Sequence, residues 1–314
     1  MDTEFLNGVF QKKTFCGTKV NSILMNASGC HCTLQKELND LNKCKFAGVI
    51  VSKSCTENPR IGNPKPRYHC SKGTSINSTG LANLGSEFYM SRTEFEKPYI
   101  VSIAGCSIEE NKRLFEKALK SKVKYFEINA SCPNIQGKSQ TGYNLETKTE
   151  ESLSYLMETV GQVFQNSDKK IGFKLPPYFD ENQFESVANI INQTFEIYKL
   201  PHWITTINSP GNGLILDENF LPTIKPKNGF GGIGGQGIKP FALANVKKMR
   251  NLLLPEIQII GCGGIKNGRD IVEHLVCGAD LVQVGTTLYE EGIESFERLA
   301  KELDNQKKVY FVNL

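Results

Sequence analysis

The sequence predicts an α/β fold, a (β/α)8 TIM barrel with a short N-terminal hairpin and loop insertions at the barrel mouth. Three observations predict it. Eight short apolar runs rich in β-branched residues alternate with longer amphipathic stretches, the sign of a parallel sheet assembled from βα units. Polar and glycine residues collect just after nearly every run. In a barrel the loops at the C-terminal strand ends converge on one site, whereas eight strand ends of an open sheet lie too far apart to share one. The length, 314 residues, suits one such barrel with short insertions.

The elements follow in chain order. Residues 3–18 read as a hairpin that plugs the barrel floor. The strands are expected at 20–27, 46–51, 99–103, 125–129, 170–175, 203–208, 257–261 and 281–284. Helices are expected at 107–121, 149–165, 180–198, 239–251, 268–277 and 295–305. Ser107 followed by Glu110 reads as a capping box, and Asp180 caps the helix after Pro176-Pro177. With no repeat, linker or low-complexity tract, 1–314 is expected to form one domain.

Composition narrows the function classes. The chain is 39% hydrophobic and 22% charged, ordinary for a globular protein. A net charge of +4, from 37 basic and 33 acidic residues that are scattered rather than clustered, argues against nucleic acid. Residues 1–10 carry Asp2 and Glu4 and no long apolar run, unlike a signal or transit peptide. No run is long enough to span a membrane, so a cytoplasmic protein is expected. The ten cysteines include no C-x-x-C pair, and Cys30 and Cys32 are badly spaced for zinc or iron–sulfur ligation. Free thiols and no metal are expected.

The strand ends carry the chemistry. The last two hold Cys262-Gly263-Gly264 and Gly285-Thr286, where a barrel commonly binds a phosphate through close backbone N–H groups. Either glycine pair alone would only mark a tight turn. Cys132 follows the fourth strand between Asn129 and Asn134, a place for a general base or nucleophile. Of the four histidines only His31 and His69 fall near the mouth, which argues against a Cys–His hydrolase. Without such a partner the thiol would titrate near the unperturbed value of about 8.5. Lys53 and Lys174 end strands, where a cation turned into the mouth needs an anion and could stabilise charge on a reduced ring system. Asn77, Asn129, Asn134, Asn208 and Asn212 offer amides for a small ligand of alternating C=O and N–H groups with a carboxylate.

Three segments stand out: Ser52-Lys53-Ser54-Cys55-Thr56, Asn58-Pro59-Arg60 through Pro66-Arg67-Tyr68, and Ser75-Ile76-Asn77-Ser78-Thr79-Gly80-Leu81. To them are added Asn129-Ala130-Ser131-Cys132-Pro133-Asn134, Lys174-Leu175-Pro176-Pro177-Tyr178-Phe179, the stretch from Lys225 to Gly235, Pro240 and Ala242-Leu243-Ala244-Asn245-Val246. Together they resemble the class 1A, fumarate-dependent dihydroorotate dehydrogenases, a likeness that runs over 21–292.

The resemblance implies an FMN enzyme of pyrimidine (UMP) biosynthesis. It would oxidise (S)-dihydroorotate to orotate, then reduce fumarate to succinate in the same site. Cys132 would take the C5 proton while hydride passes from C6 to FMN, with Lys53 and Lys174 as the other catalytic groups. Lys53, Asn77, Gly80, Leu81, Asn129, Asn134, Asn208 and Ser209 match substrate-binding positions. Ala27, Ser28, Lys53, Ser54, Asn129, Lys174, Ile207, Ser209, Gly235, Cys262, Gly263, Gly264, Gly285 and Thr286 match FMN-binding positions. Segment 131–140 would act as a lid with Gly137 and Gly142 as hinges, and the protein would be a homodimer. Thr79 and Ala130 depart from the Met and Leu common in relatives, which bears on substrate affinity. The alternatives are a class 1B subunit that uses NAD through an iron–sulfur partner, a flavin-dependent dihydrouridine synthase, and a flavin-binding protein without activity. The 58–68 and 242–246 segments speak against the first, the low charge and the chain end at Leu314 against the second, and the presence of Cys132 and Lys174 against the third.

Overall fold

The structure, a computed structural model, describes residues 14–131 and 149–312. A hairpin of β1 (Thr14–Phe15) and β2 (Thr18–Lys19) leads into β3 (Leu24–Asn26), α1 (Gln35–Lys43) and β4 (Ile50–Val51). An insertion follows, with β5 (Tyr68–Ser71), β6 (Thr74–Asn77) and α2 (Ser86–Met90). The chain continues through β7 (Tyr99–Ile103), α3 (Ile108–Lys120), β8 (Tyr125–Asn129), α4 (Thr149–Phe164), β9 (Lys170–Lys174), α5 (Glu181–Tyr198) and β10 (Trp203–Thr206). It ends with β11 (Gly232–Gly235), α6 (Lys239–Leu252), β12 (Gln258–Cys262), α7 (Gly268–Cys277), β13 (Leu281–Val284), α8 (Thr286–Glu291) and α9 (Ser295–Val312).

Eight parallel strands make the barrel, in the order β3-β13-β12-β10-β9-β8-β7-β4. The two ends of that order meet. Gly48 N–H donates to Leu24 O at 2.8 Å, and Met25 bridges Val49 in parallel. The strands are short because their apolar runs record burial, not pairing. Val20, Ile23, Ala47 and Val49 are all buried yet lie outside the named strands, so the runs 20–27 and 46–51 shrink to Leu24–Asn26 and Ile50–Val51. The other strand and helix bounds move by a residue or two, except that α9 extends past the expected end at 305.

The hairpin stoppers the barrel floor as expected. Phe15 is fully buried, with ring centroids 4.9 Å from Trp203 and 5.2 Å from Tyr125. Gln258, at the base of β12, receives Cys16 N–H on its amide oxygen and donates to Thr14 O, which fixes the hairpin in place. Residues 3–13 of the expected hairpin lie outside the described residues.

A second sheet, antiparallel in the order β11-β6-β5, joins the insertion after β4 to the segment after β10. It was not expected from sequence, nor were α1, α2 and α8. The second sheet brings Asn77 and Gly235 to the barrel mouth.

Candidate active site

A cavity opens at the C-terminal ends of the barrel strands, with about 1110 Å³ of empty space counted to its open mouth. Strand ends deliver most of the expected residues to its wall. β3 leads to Ala27 and Ser28, β4 to Lys53 and Ser54, β8 ends on Asn129 and β9 on Lys174. After β10 come Ile207, Asn208 and Ser209. β12 leads through Cys262 to Gly263 and Gly264, and β13 to Gly285 and Thr286. The second sheet adds Asn77 and Gly235, and the insertion adds Leu81.

Some expected residues stand elsewhere. Gly80 is not on the wall; it turns the chain between Thr79 and Leu81, which are. Asn212 is exposed and off the wall, so the described amides that converge are Asn77, Asn129 and Asn208. His31 is not on the wall either and pairs with Asp40 at 3.4 Å. Cys132, Asn134, Gly137, Gly142 and the rest of the expected lid beyond Ser131 lie outside the described residues.

A chain of hydrogen bonds fixes the polar side of the cavity. Asn77 Nδ2 donates to Ser209 Oγ at 3.5 Å and to Gly232 O at 3.2 Å. Ser209 N–H donates to Asn208 Oδ1 at 2.8 Å, and Asn208 Nδ2 donates to Asn129 Oδ1 at 3.2 Å and also to Ser131 O. Asn129 Nδ2 donates to Ser54 Oγ at 3.1 Å, and that hydroxyl lies 3.0 Å from Ser28 Oγ and 2.9 Å from Ser102 Oγ. Such a network holds the amides in fixed orientations before any ligand arrives, which lowers the cost of binding.

Lys53 and Lys174 are both buried on this wall. Neither has an acidic partner within 4.0 Å among the described residues, so neither is neutralised by a direct ion pair. Lys174 Nζ donates to Gln283 Oε1 at 2.9 Å and approaches Cys262 Sγ at 3.8 Å. Burial works against its charge, while Glu127 and, when ionised, the Cys262 thiol favour it, and the balance leaves Lys174 above the usual lysine value. Burial also raises the Cys262 thiol and pushes Cys30 up to about 11, so both are neutral at pH 7. Glu127 is therefore the anion that favours the Lys174 ammonium.

The Gly263-Gly264 turn leaves no room for a side chain, whereas a Cβ on Gly285 would make only ordinary contacts, 3.6 Å from Ala27 Cβ. A Cβ on Gly264, at φ +78°, would stand 2.3 Å from Lys239 Cβ. His274, from α7, supports the same turn: its Nε2 lies 3.0 Å from Gly263 O. Burial pulls its pKa down to about 4, so the ring is neutral and carries its proton on Nε2 to donate to that carbonyl.

Sequence reasoning gave no role to Cys30, Tyr68, Ser75 or Gln283, although all four line the cavity. Tyr68 and Ser75 come from the unexpected second sheet. Tyr68 packs on Tyr289 with ring centroids 3.8 Å apart, and Ser75 Oγ lies 2.8 Å from Thr286 Oγ1. Gln283 lies within a strand, where nothing in its neighbours sets it apart.

The family sequence model for dihydroorotate dehydrogenase matches residues 10–306. A probable dihydroorotate dehydrogenase A (fumarate) from Enterococcus faecalis is 46% identical over 297 residues, covering 92% of this chain and 91% of its own. Dihydroorotate dehydrogenase A (fumarate) from Lactococcus lactis is 45% identical over 306 residues, 94% of both chains. The Saccharomyces cerevisiae dihydroorotate dehydrogenase (fumarate) is 43% identical over 312 residues, 96% of this chain and 92% of its own. The crystal structure of a dihydroorotate dehydrogenase from Eimeria tenella, in complex with ferulenol, superposes with a TM-score of 0.74 at 18% identity. That match covers 95% of this chain and 85% of the other, a likeness of fold.

Proposed function

Because the chain belongs to the dihydroorotate dehydrogenase family, we propose that it oxidises dihydroorotate to orotate in pyrimidine biosynthesis and passes the electrons to fumarate. The observation that carries this reading is the 43–46% identity, over nearly the whole chain, to enzymes named for that acceptor. No observation favours the NAD-linked or tRNA-modifying alternatives.

The cavity suits FMN. Gly263, Gly264, Gly285 and Thr286 offer backbone N–H groups to a phosphate at the ends of β12 and β13. Ala27, Ser28, Ser54, Ile207 and Gly235 would line the rest of the cofactor site. FMN, when bound, takes two electrons from the substrate and returns them to the acceptor. The Lys174 ammonium would face the negative charge gained in that exchange.

The chain's own side chains do the remaining work. Cys132, as thiolate, would take the C5 proton of dihydroorotate. Lys53 would attract the substrate carboxylate, and Asn77, Asn129, Asn134 and Asn208 would read its alternating C=O and N–H groups. Ser209 and Leu81 would complete the substrate site, with Thr79 beside Leu81 on the wall and Gly80 setting the turn between them. The same reading makes the protein a cytoplasmic homodimer. It is supported by the resemblance; among the described residues no helix is long and apolar enough to cross a membrane.

The test is spectroscopic. Purified protein should be yellow and should bleach when dihydroorotate is added without oxygen. Fumarate, and not NAD, should restore the colour. Bleaching that fumarate cannot reverse would overturn the acceptor, and a colourless protein that FMN cannot reconstitute would sink the reading. Cys132→Ser should keep FMN and lose most turnover, because an alcohol is a far weaker base than a thiol at neutral pH. Full activity in that variant would remove Cys132 as the base.

A further inference from the structure

Beneath the cavity, inside the barrel, lies a buried carboxylate that the proposed reaction does not use. Glu127 of β8 is fully buried. Its Oε2 accepts from Thr205 Oγ1 at 2.6 Å and from Gln283 Nε2 at 3.2 Å. Its Oε1 has no partner among the described residues. A buried carboxylate with a bare oxygen is costly, so something must compensate it.

The compensation is one amide away. Gln283 turns its carbonyl oxygen to Lys174 Nζ at 2.9 Å and its NH2 to Glu127 at 3.2 Å. That orientation is forced. Flipped, the amide would set its NH2 against an ammonium and its oxygen against a carboxylate. Cation, amide and anion thus form one polarised line from the barrel interior to the cavity wall. The thiols beside Lys174 are neutral, and no carboxylate lies within 4.0 Å of it among the described residues.

We propose that Glu127 is a positioning residue: through the Gln283 amide it holds Lys174 in place, as a cation, on the wall of the flavin cavity. The proposal rests on the FMN reading above. It predicts an effect whose sign separates it from a plain field effect. Deleting a negative charge near a flavin, by itself, makes electron uptake easier and raises the midpoint potential. If the carboxylate is what keeps Lys174 charged and aimed, deleting it also removes that cation and lowers the potential instead.

Glu127→Gln isolates the charge. Oε2 takes both hydrogen bonds, so a glutamine oxygen there keeps both and the NH2 falls on the side without a partner. Flavin-loaded wild type, E127Q, K174M and the double variant are equilibrated against reference dyes. Each stripped protein is also titrated with FMN, followed by quenching of flavin fluorescence. E127Q should shift the reduced-to-oxidised equilibrium about tenfold towards oxidised, ~30 mV for a two-electron couple. K174M should shift it in the same direction, and the double variant should fall no further than K174M. A potential that rises or stays put in E127Q overturns the proposal. Should E127Q fail to fold, Gln283→Met breaks the line with Glu127 in place and must lower the potential too; an unchanged potential there overturns the proposal. Wild-type protein that takes up no FMN would instead sink the FMN reading on which the proposal rests.

Discussion

Gly264 shows how little freedom a single position in this cavity has. Its φ of +78° lies in the left-handed region, and an added Cβ would meet Lys239 Cβ at 2.3 Å and Cα at 2.7 Å. The left-handed conformation costs an alanine roughly 1–2 kcal/mol, and the first turn of α6 would also have to shift. Gly264→Ala is expected to weaken FMN binding tenfold or more, read by titrating stripped protein; unchanged affinity would detach this turn from the cofactor. His274, behind Gly263, adds a pH dependence. Burial lowers its pKa to about 4, against about 6.5 in the unfolded chain. As pH falls the unfolded state takes up the proton first, so stability present at pH 7 is lost between about pH 6.5 and 4, on the order of 2–3 kcal/mol. His202, pulled down to about 4 by burial and by Lys170, adds to the same slope. His274→Gln can still donate to Gly263 O, and it should flatten part of the slope. Urea midpoints at pH 7, 5.5 and 4.5 check this, and parallel lines for the two proteins would refute it.

The start of α3 carries the same logic to the scale of an element. Ser107 Oγ accepts Glu110 N–H at 3.1 Å, as a cap should. The reciprocal half of the expected capping box is not made. The Glu110 carboxylate accepts Cys106 N–H at 2.7 Å and Glu57 N–H at 2.8 Å, and so ties the helix to the segment after β4. Ser107→Ala therefore removes the helix's own cap and is expected to cost about 1 kcal/mol in a thermal or urea melt. A loss within error would mean that Glu110 alone holds this end. The capping pair was legible because local spacing specifies it; where the Glu110 side chain goes was not, because Glu57 is far off in sequence. The same limit explains the missed elements. α1 buries only Leu38 and Leu41 within a polar stretch, and β11 reads Gly-Ile-Gly-Gly, without side chains to form a pattern. Residues at strand ends could be read as site residues since a barrel places strand ends at one mouth. Tyr68 and Ser75 could not, because only pairing in the second sheet brings them there.

The cavity is a property of the whole molecule. Its wall takes residues from the ends of seven barrel strands and from both ends of the second sheet's β6–β11 pairing, so no part of the chain holds the site alone. A ligand that binds there binds only the folded chain and must stabilise it by RT ln(1 + [L]/Kd), about 2.7 kcal/mol at a hundredfold excess over Kd. Removing the flavin is therefore expected to lower the melting temperature by several degrees. Adding FMN should restore it, with each tenfold increase in free FMN contributing ~1.4 kcal/mol. Riboflavin, which has the same ring but no phosphate, separates the two ends of the cavity. If the turns at Gly263-Gly264 and Gly285-Thr286 hold the phosphate, riboflavin should stabilise the stripped protein far less than FMN at equal concentration. Equal stabilisation would place the binding energy on the ring side, around Lys174 and the asparagines. If neither flavin stabilises the protein, the cavity does not bind a flavin.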